Sequence, residues 1–199
     1  MPGSTLNTDG SKIILGPGAL WADVAVPGAG ARLTLHTDGT PESVANPNAK
    51  HLGLTKGGST VTFGVETQDF ESDELTSPHL SRIIKQPMMI EAELLQLTDL
   101  ANVMKYVATG GTYATGAGYK ELAFGGLNAI TYYSFALICA DVADPTKFIC
   151  IQLYKAYNKS SFTFNITRKD QAAAKVQLQG LSIATRAVGD QTGKMFVQI

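Results

Sequence analysis

Two carboxylates, Glu91 and Glu93, stand two residues apart in the run MMIEAELLQ. On a β-strand that spacing turns both toward one face, while Ile90, Ala92 and Leu94 turn toward the other. Such a pair can act as general acid and base, as in glycoside hydrolysis, when a cleft drives the two acidities apart. The sequence supplies no sign of that cleft, and a solvated sheet face is the plain reading. The other reactive side chains are scattered. His36, His51 and His79 have no metal-binding spacing, and Cys139 and Cys150, with ten residues between them, form no zinc or redox motif. Gly189–Lys194 (GDQTGK) has too few residues between its glycines for a phosphate loop, and Met195 stands where Ser or Thr would hold magnesium. No GxSxG elbow is present. These residues point to no enzyme, no metal and no cofactor.

A second constellation is charged but not catalytic. Glu66, Asp69, Glu71, Asp73 and Glu74 place five carboxylates in nine residues, with no basic residue among them. The spacing lacks the calcium-loop pattern and its glycine. The cluster reads as a solvated surface or as an interface between subunits, where Lys50, Lys56, Arg82 and Lys85 of a neighbour are the candidate partners. Thr37–Lys50, with Asp38, Glu42 and Asn46, is rich in Pro, Asn and Gly and reads as a long irregular loop. It is the first choice for a contact between copies of the chain, and deleting Asp38–Asn48 is expected to leave a folded subunit. Gly110–Tyr119 reads as a third loop.

The elements that must position these residues are mostly β. Short β-prone runs are punctuated by Gly and Thr at Lys12–Leu15, Ala19–Val26, Ala31–His36, Ser59–Glu66, Leu80–Lys85, Met88–Gln96, Glu121–Phe124, Ala129–Ala140, Lys147–Tyr157, Ser161–Arg168, Ala173–Ile183 and Lys194–Ile199. Three of them repeat one design. Met88–Gln96 sets Glu91 and Glu93 against Ile90 and Ala92. Ser161–Arg168 sets Thr163 and Asn165 against Phe162 and Phe164. Ala173–Ile183 sets Lys175, Gln177 and Gln179 against Val176 and Leu178. Ala129–Ala140 and Lys147–Tyr157 are apolar on both faces and form a hairpin. A turn near residue 144 is expected to bring Cys139 and Cys150 almost opposite each other as buried thiols. One helix is expected: Thr98 caps it, Asp99 is its first residue, and Leu100, Val103, Met104 and Val107 make its apolar stripe before Thr109-Gly110-Gly111 stops it.

Composition fits one domain, residues 1–199, with a sizeable core. The chain is 44% hydrophobic and 17% charged, with a formal net charge of −1. That excludes bulk disorder and a generally basic nucleic-acid binder, and leaves self-association open. No apolar run is long enough for a membrane helix. The start, MPGSTLNTDGSK, lacks a secretion signal, so folding in a reducing cytoplasm is expected.

The run HLGLTKGGSTVTFGVETQDFESDELTSP (His51–Pro78) resembles the G-x-T-x-G-G segment and following acidic loop of phage major tail tube proteins. The strand ending Glu-Leu-Leu-Gln-Leu, the short helix after it and Val176-Gln-Leu-Gln-Gly-Leu-Ser are similar too, so the resemblance spans roughly residues 12–185. The resemblance implies a β-sandwich with a flanking helix and six copies per ring. The rings stack into a hollow tube, and inner sheets join into a ring-wide β-barrel. It implies that the lumen holds a tape measure protein and then passes double-stranded DNA without sequence-specific binding. Tail terminator and baseplate or tip proteins would meet the ends, in a virion tail assembled in the host cytoplasm. The expected lumen-facing residues are Glu91, Glu93, Thr163, Asn165, Gln177 and Gln179. Another virion or assembly β-sandwich, such as a tail terminator or decoration protein, and a ligand-binding β module are the alternatives.

Overall fold

The computed structural model describes residues 18–53, 55–70, 80–95, 99–126, 128–140, 144, 146–161 and 173–198. The chain is mostly β, as its alternating runs require. Its strands are β1 (Ala19–Ala22), β2 (Lys50–His51), β3 (Thr55–Phe63), β4 (Glu66–Phe70), β5 (Leu80–Lys85), β6 (Met88–Leu94), β7 (Thr112–Gly116), β8 (Tyr119–Ala123), β9 (Tyr133–Ala140), β10 (Phe148–Asn158), β11 (Ala174–Gly180) and β12 (Gly193–Val197). Eight strands form one sheet in the order β2-β1-β9-β10-β11-β6-β3, with β12 also on β10; β4–β5 and β7–β8 are separate two-stranded sheets.

β10 is the pivot. Its first part, Ile149–Leu153, pairs with β12, and its last part, Ala156–Asn158, pairs with β11. Between them a register shift at Leu153/Ala156 interrupts the pairing with β9. A bulge of this kind bends a strand and raises its twist. The sheet then curls enough for Leu20 of β1, Phe135 and Leu137 of β9, Val176 of β11 and Ile90 of β6 to share one buried cluster. A helical segment covers that cluster: one π turn, Leu100–Met104, continues into α1 (Lys105–Val107) and buries Val103, Met104, Tyr106 and Val107. Asp99 caps the segment by accepting from the backbone N–H of Asn102 at 3.1 Å. The residue expected to begin the helix is therefore its cap, and Thr98 lies outside the described residues.

A second cluster lies on the opposite face of β9 and β10, where Ala136, Ile138, Phe148 and Cys150 meet Val24 and Leu33. The expected strand Ala31–His36 is instead part of the excursion that covers this cluster. It makes one isolated bridge, Leu35 to Pro41, and no ladder. The loop Thr37–Lys50 packs there too. Gly39 adopts φ 79 and lies so close to the Phe148 ring that a Cβ would sit 2.4 Å from it. Removing Asp38–Asn48 would take Gly39 away from the Phe148 ring, so the deletion bears on this cluster as well as on any contact the loop makes.

Three further expectations change. Glu66–Phe70, at the start of the acidic cluster, and Thr112–Gly116, within the expected Gly110–Tyr119 loop, form β4 and β7, each paired with the strand that follows it. In β3, Gly57 and Gly58 at φ 75 and 91 absorb a register shift against β6. The cysteines do not face each other: Cys139 pairs with Ile149 and Cys150 with Ile138. That one-residue offset sends them to opposite faces, one in each apolar cluster. Burial pushes the Cys150 thiol up to about 12.

Buried polar side chains tie the layers. Asn158 Nδ2 donates to the Val107 carbonyl at 2.9 Å, closing the helix end. Its Oδ1 accepts from Gln177 N at 2.9 Å and Ser160 Oγ at 2.8 Å. Asn158→Ala leaves a carbonyl and an amide unpaired in the interior and should destabilise the fold by about 2–4 kcal/mol. Exposed Glu93→Gln should change stability by less than about 0.5 kcal/mol. Urea unfolding of both variants checks the contrast, and equal midpoints would contradict it.

Candidate functional site: the polar face of the curled sheet

The alternation of β6 and β11 holds. Their apolar residues are buried, and Glu91, Glu93, Lys175, Gln177 and Gln179 share the other face. Glu91 lies opposite Gln177 and Glu93 opposite Lys175. Gln177 Nε2 donates to Glu91 Oε1 at 2.8 Å, and Lys175 Nζ lies 3.4 Å from Glu91 Oε2. From β3, Thr60 sits opposite Glu91 on its other side. Thr163 and Asn165, expected on this face, lie outside the described residues.

The face extends further than the sequence suggests. Gln179 lies opposite Tyr157 of β10. The Tyr157 ring meets Tyr132 edge-on at 6.0 Å, and Lys155 Nζ sits 4.5 Å above the Tyr132 ring. Simple alternation puts Lys155 and Tyr157 on the core side with Ile151 and Leu153. The bulge inverts the parity, and a bulge leaves no mark in a hydrophobic pattern.

Glu91 and Glu93 sit on the open polar face and line neither of two clefts among the described residues, one of 440 Å³ beside Tyr106 and Tyr133 and one of 640 Å³ beside Phe63. Glu91 is held by an amide and an ammonium. Among the described residues no group of three or more metal-binding side chains converges. Two carboxylates, Glu91 and Glu93, are matched by two ammonium groups, Lys155 and Lys175. The face is polar and locally neutral rather than acidic. The exposed Lys175–Glu91 pair adds about 0–1 kcal/mol at most.

The expected interface residues divide. Glu66 pairs with Lys85 of its own hairpin at 3.0 Å, and Asp69 accepts from Ser81 at 2.5 Å, so both have partners within the chain. Glu71, Asp73 and Glu74 lie outside the described residues. Asp38 accepts from Thr40 Oγ1 at 2.7 Å and Thr40 N at 2.9 Å, and these bonds hold its carboxyl below the ordinary range. Asn46 is buried. It accepts from Ala25 N at 2.8 Å and donates to the Glu42 carbonyl at 3.0 Å, so it staples the loop and presents nothing to a neighbour. Glu42 stays half-exposed beside it.

A polar cluster that sequence reasoning missed lies in the turn Gly189–Lys194 and its surroundings. Tyr154 Oη donates to Asp190 Oδ1 at 2.6 Å, and Arg186 Nη2 donates to Asp190 Oδ2 at 2.8 Å. The Arg186 guanidinium stacks 4.1 Å from the Tyr154 ring and donates to the Pro27 carbonyl at 2.9 Å. Lys194 Nζ lies 3.7 Å from Asp190. The only trace in the sequence is the four-residue spacing of Arg186, Asp190 and Lys194; Tyr154 comes from a distant strand. Every member has a partner, so the cluster is a clasp between the 181–192 excursion and β10.

The Tyr154 hydrogen bond, with Arg186 and Lys194, holds the Asp190 carboxyl below its ordinary value of 3.8. Burial and the Asp190 carboxylate push Tyr154 up to about 12. A depressed carboxyl contributes stability above its unfolded value and loses it as pH falls through the folded one. A raised phenol contributes fully below about 10 and loses that contribution as pH climbs toward 12. The stability gap between the parent and Asp190→Asn should therefore be full at neutral pH and shrink below about pH 4. Urea midpoints across pH check this, and a gap independent of pH would contradict it. The chain matches no protein-family model and no curated protein.

Proposed function

We propose that this chain is a self-assembling structural protein of the phage tail tube kind. Six copies close a ring, and rings stack into a hollow tube that encloses the tape measure protein and conducts double-stranded DNA. The tube belongs to the virion tail, is assembled in the host cytoplasm, and is bounded by terminator and baseplate or tip proteins. The finer architecture we propose is a β-sandwich whose inner layer, β11-β6-β3, joins its neighbours through the free edge of β3 into a ring-wide barrel.

One observation carries the reading. Every residue of β4 and β5 is exposed. A two-stranded hairpin alone is marginal in water. This one carries Phe70, Leu80, Ile83 and Ile84 uncovered, so it gains stability once another surface lies on it. Among the described residues β3 pairs only with β6, which adds to this, because an unpaired edge is a template for pairing between chains.

The polar face supports the assignment of Glu91, Glu93, Gln177 and Gln179 to the lumen. Retention of DNA needs free cations against its phosphates. Lys175 is engaged by Glu91, so a wall of such faces presents balanced charge over which a polyanion can slide.

Negative-stain microscopy of the purified protein should show tubes of uniform width. Monomers alone at every concentration would contradict the reading. A Glu93→Cys variant tests the lumen: a bulky polymer-linked maleimide should label dispersed subunits and be blocked in long tubes. Equal labelling in both would move Glu93 to the outside.

A further inference from the structure

The 440 Å³ cleft takes no part in the polar face or in the tube reading. It lies between the end of the helical segment, the start of β7 and the run 128–133, and its volume falls in the range of small-molecule sites. Tyr106, Tyr113 and Tyr133 line it, with Lys105, Asn128 and Thr131. Its walls are held. Tyr106 is 6% exposed and meets Tyr133 edge-on at 4.7 Å. Asn128 Nδ2 donates to the Gly110 carbonyl and to Thr112 Oγ1, both at 3.2 Å, which ties the run 128–133 to the base of β7. Thr109 Oγ1 donates to the Asn158 carbonyl at 2.7 Å and fastens the same rim to β10. Walls already fixed in position lose little freedom on binding.

The lining keeps hydrogen-bonding capacity that the chain does not use. Among the described residues neither Tyr106 nor Tyr133 donates a hydrogen bond, and Tyr113 Oη accepts from Thr115 Oγ1 while its own proton stays free. The side-chain polar atoms sealed in the described interior without a partner are Trp21 Nε1, Ser59 Oγ and Gln179 Oε1. The Tyr106 hydroxyl is not one of them, so on a ring otherwise buried it is reached from the cleft. Burial, and after it the Asp23 carboxylate, raise Tyr106 and Tyr133 above the ordinary phenol value of 10.0, and both keep their protons at neutral pH.

Charge and polarity select the ligand. Lys105 is the cation of the lining, with its Nζ 5.3 Å from the centre of the Tyr106 ring. Among the described residues no carboxylate lines the cleft, but Asp23 acts on the two phenols and offsets Lys105. A dianion such as phosphate would leave water for one ammonium countered by one carboxylate, a poor exchange. An apolar ligand would strip water from the phenols and leave them unpaired. A sugar ring meets both conditions: its C–H face lies on an aromatic ring, and its hydroxyls both donate and accept. We propose that this cleft binds a neutral sugar, one or two pyranose rings of a free saccharide or of a glycan end.

Saturation-transfer NMR of the full chain with the methyl glycosides of glucose, galactose, mannose and N-acetylglucosamine tests this, with glucuronate and inorganic phosphate as charged comparators. At least one neutral glycoside should bind with a Kd of about 0.1–10 mM. Ala129→Trp, at an exposed position on the cleft wall, should abolish that binding. Tyr106→Phe keeps the ring, removes the hydroxyl and should weaken binding about fivefold to tenfold. Thermal unfolding within a few degrees of the parent shows that each variant keeps the fold. Failure of every neutral glycoside to bind, binding of glucuronate or phosphate alone, or binding that both variants leave unchanged overturns the proposal. Microscopy of the same proteins reads the tube separately, so the sugar site and the tube reading stand or fall independently.

Discussion

The bulge between Leu153 and Ala156 is the constraint on which the rest depends. It lets one strand of eleven residues serve two neighbours in turn, β12 and then β11. Leu20 of β1 and Ile90 of β6 share one buried cluster with the helical segment, and the cluster on the other face of β9 and β10 takes Val24, Leu33 and Ala49 of the excursion. Asn158, at the far end of the same strand, fastens the helix to β11 and makes the curl rigid.

The same bend explains the surface. Lys155 and Tyr157 are turned out beside Gln179, so the polar face is wider than β6 and β11 alone. At the other end, Phe63 of β3 and Met195 of β12 hold core-side positions and are both about half exposed. Among the described residues, core-side positions that stay half exposed, a β3 that pairs only with β6 and two hairpins outside the main sheet leave surface to be covered in several directions. Another copy of the chain can satisfy all of it at once, and this is why the assembly reading is preferred to a lone binding module.

The period-two pattern was enough to find β6 and β11 and to predict which of their faces is polar, because burial enforces that period along each strand, while β5, β9 and β10 are legible as β-prone runs. It was not enough for features set across the chain. The cysteine pair shows how narrow the margin is: a turn centred on residue 144 pairs Cys139 with Ile149, and half a residue more would have made the two thiols face. Ala31–His36 has the composition of a strand but finds no partner edge and becomes a cover. The Asp190 clasp draws Tyr154 from 36 residues away, a contact that no local spacing announces. The sequence leaves Glu66 and Asp69 open between a solvated surface and an interface, and only the pairing of β4 with β5 shows that Lys85 and Ser81 are their partners within the chain.

The account stands on the claim that the β4–β5 hairpin is bare in the single copy and covered in the assembly. Hydrogen–deuterium exchange of Glu66–Phe70 and Leu80–Lys85, in dilute protein and in the assembled state, tests this directly. The predicted result is rapid exchange of the outward-pointing amides when dilute and strong protection on assembly, while β9 and β10 stay protected in both. Hairpin exchange that is equally fast in the two states would contradict the account.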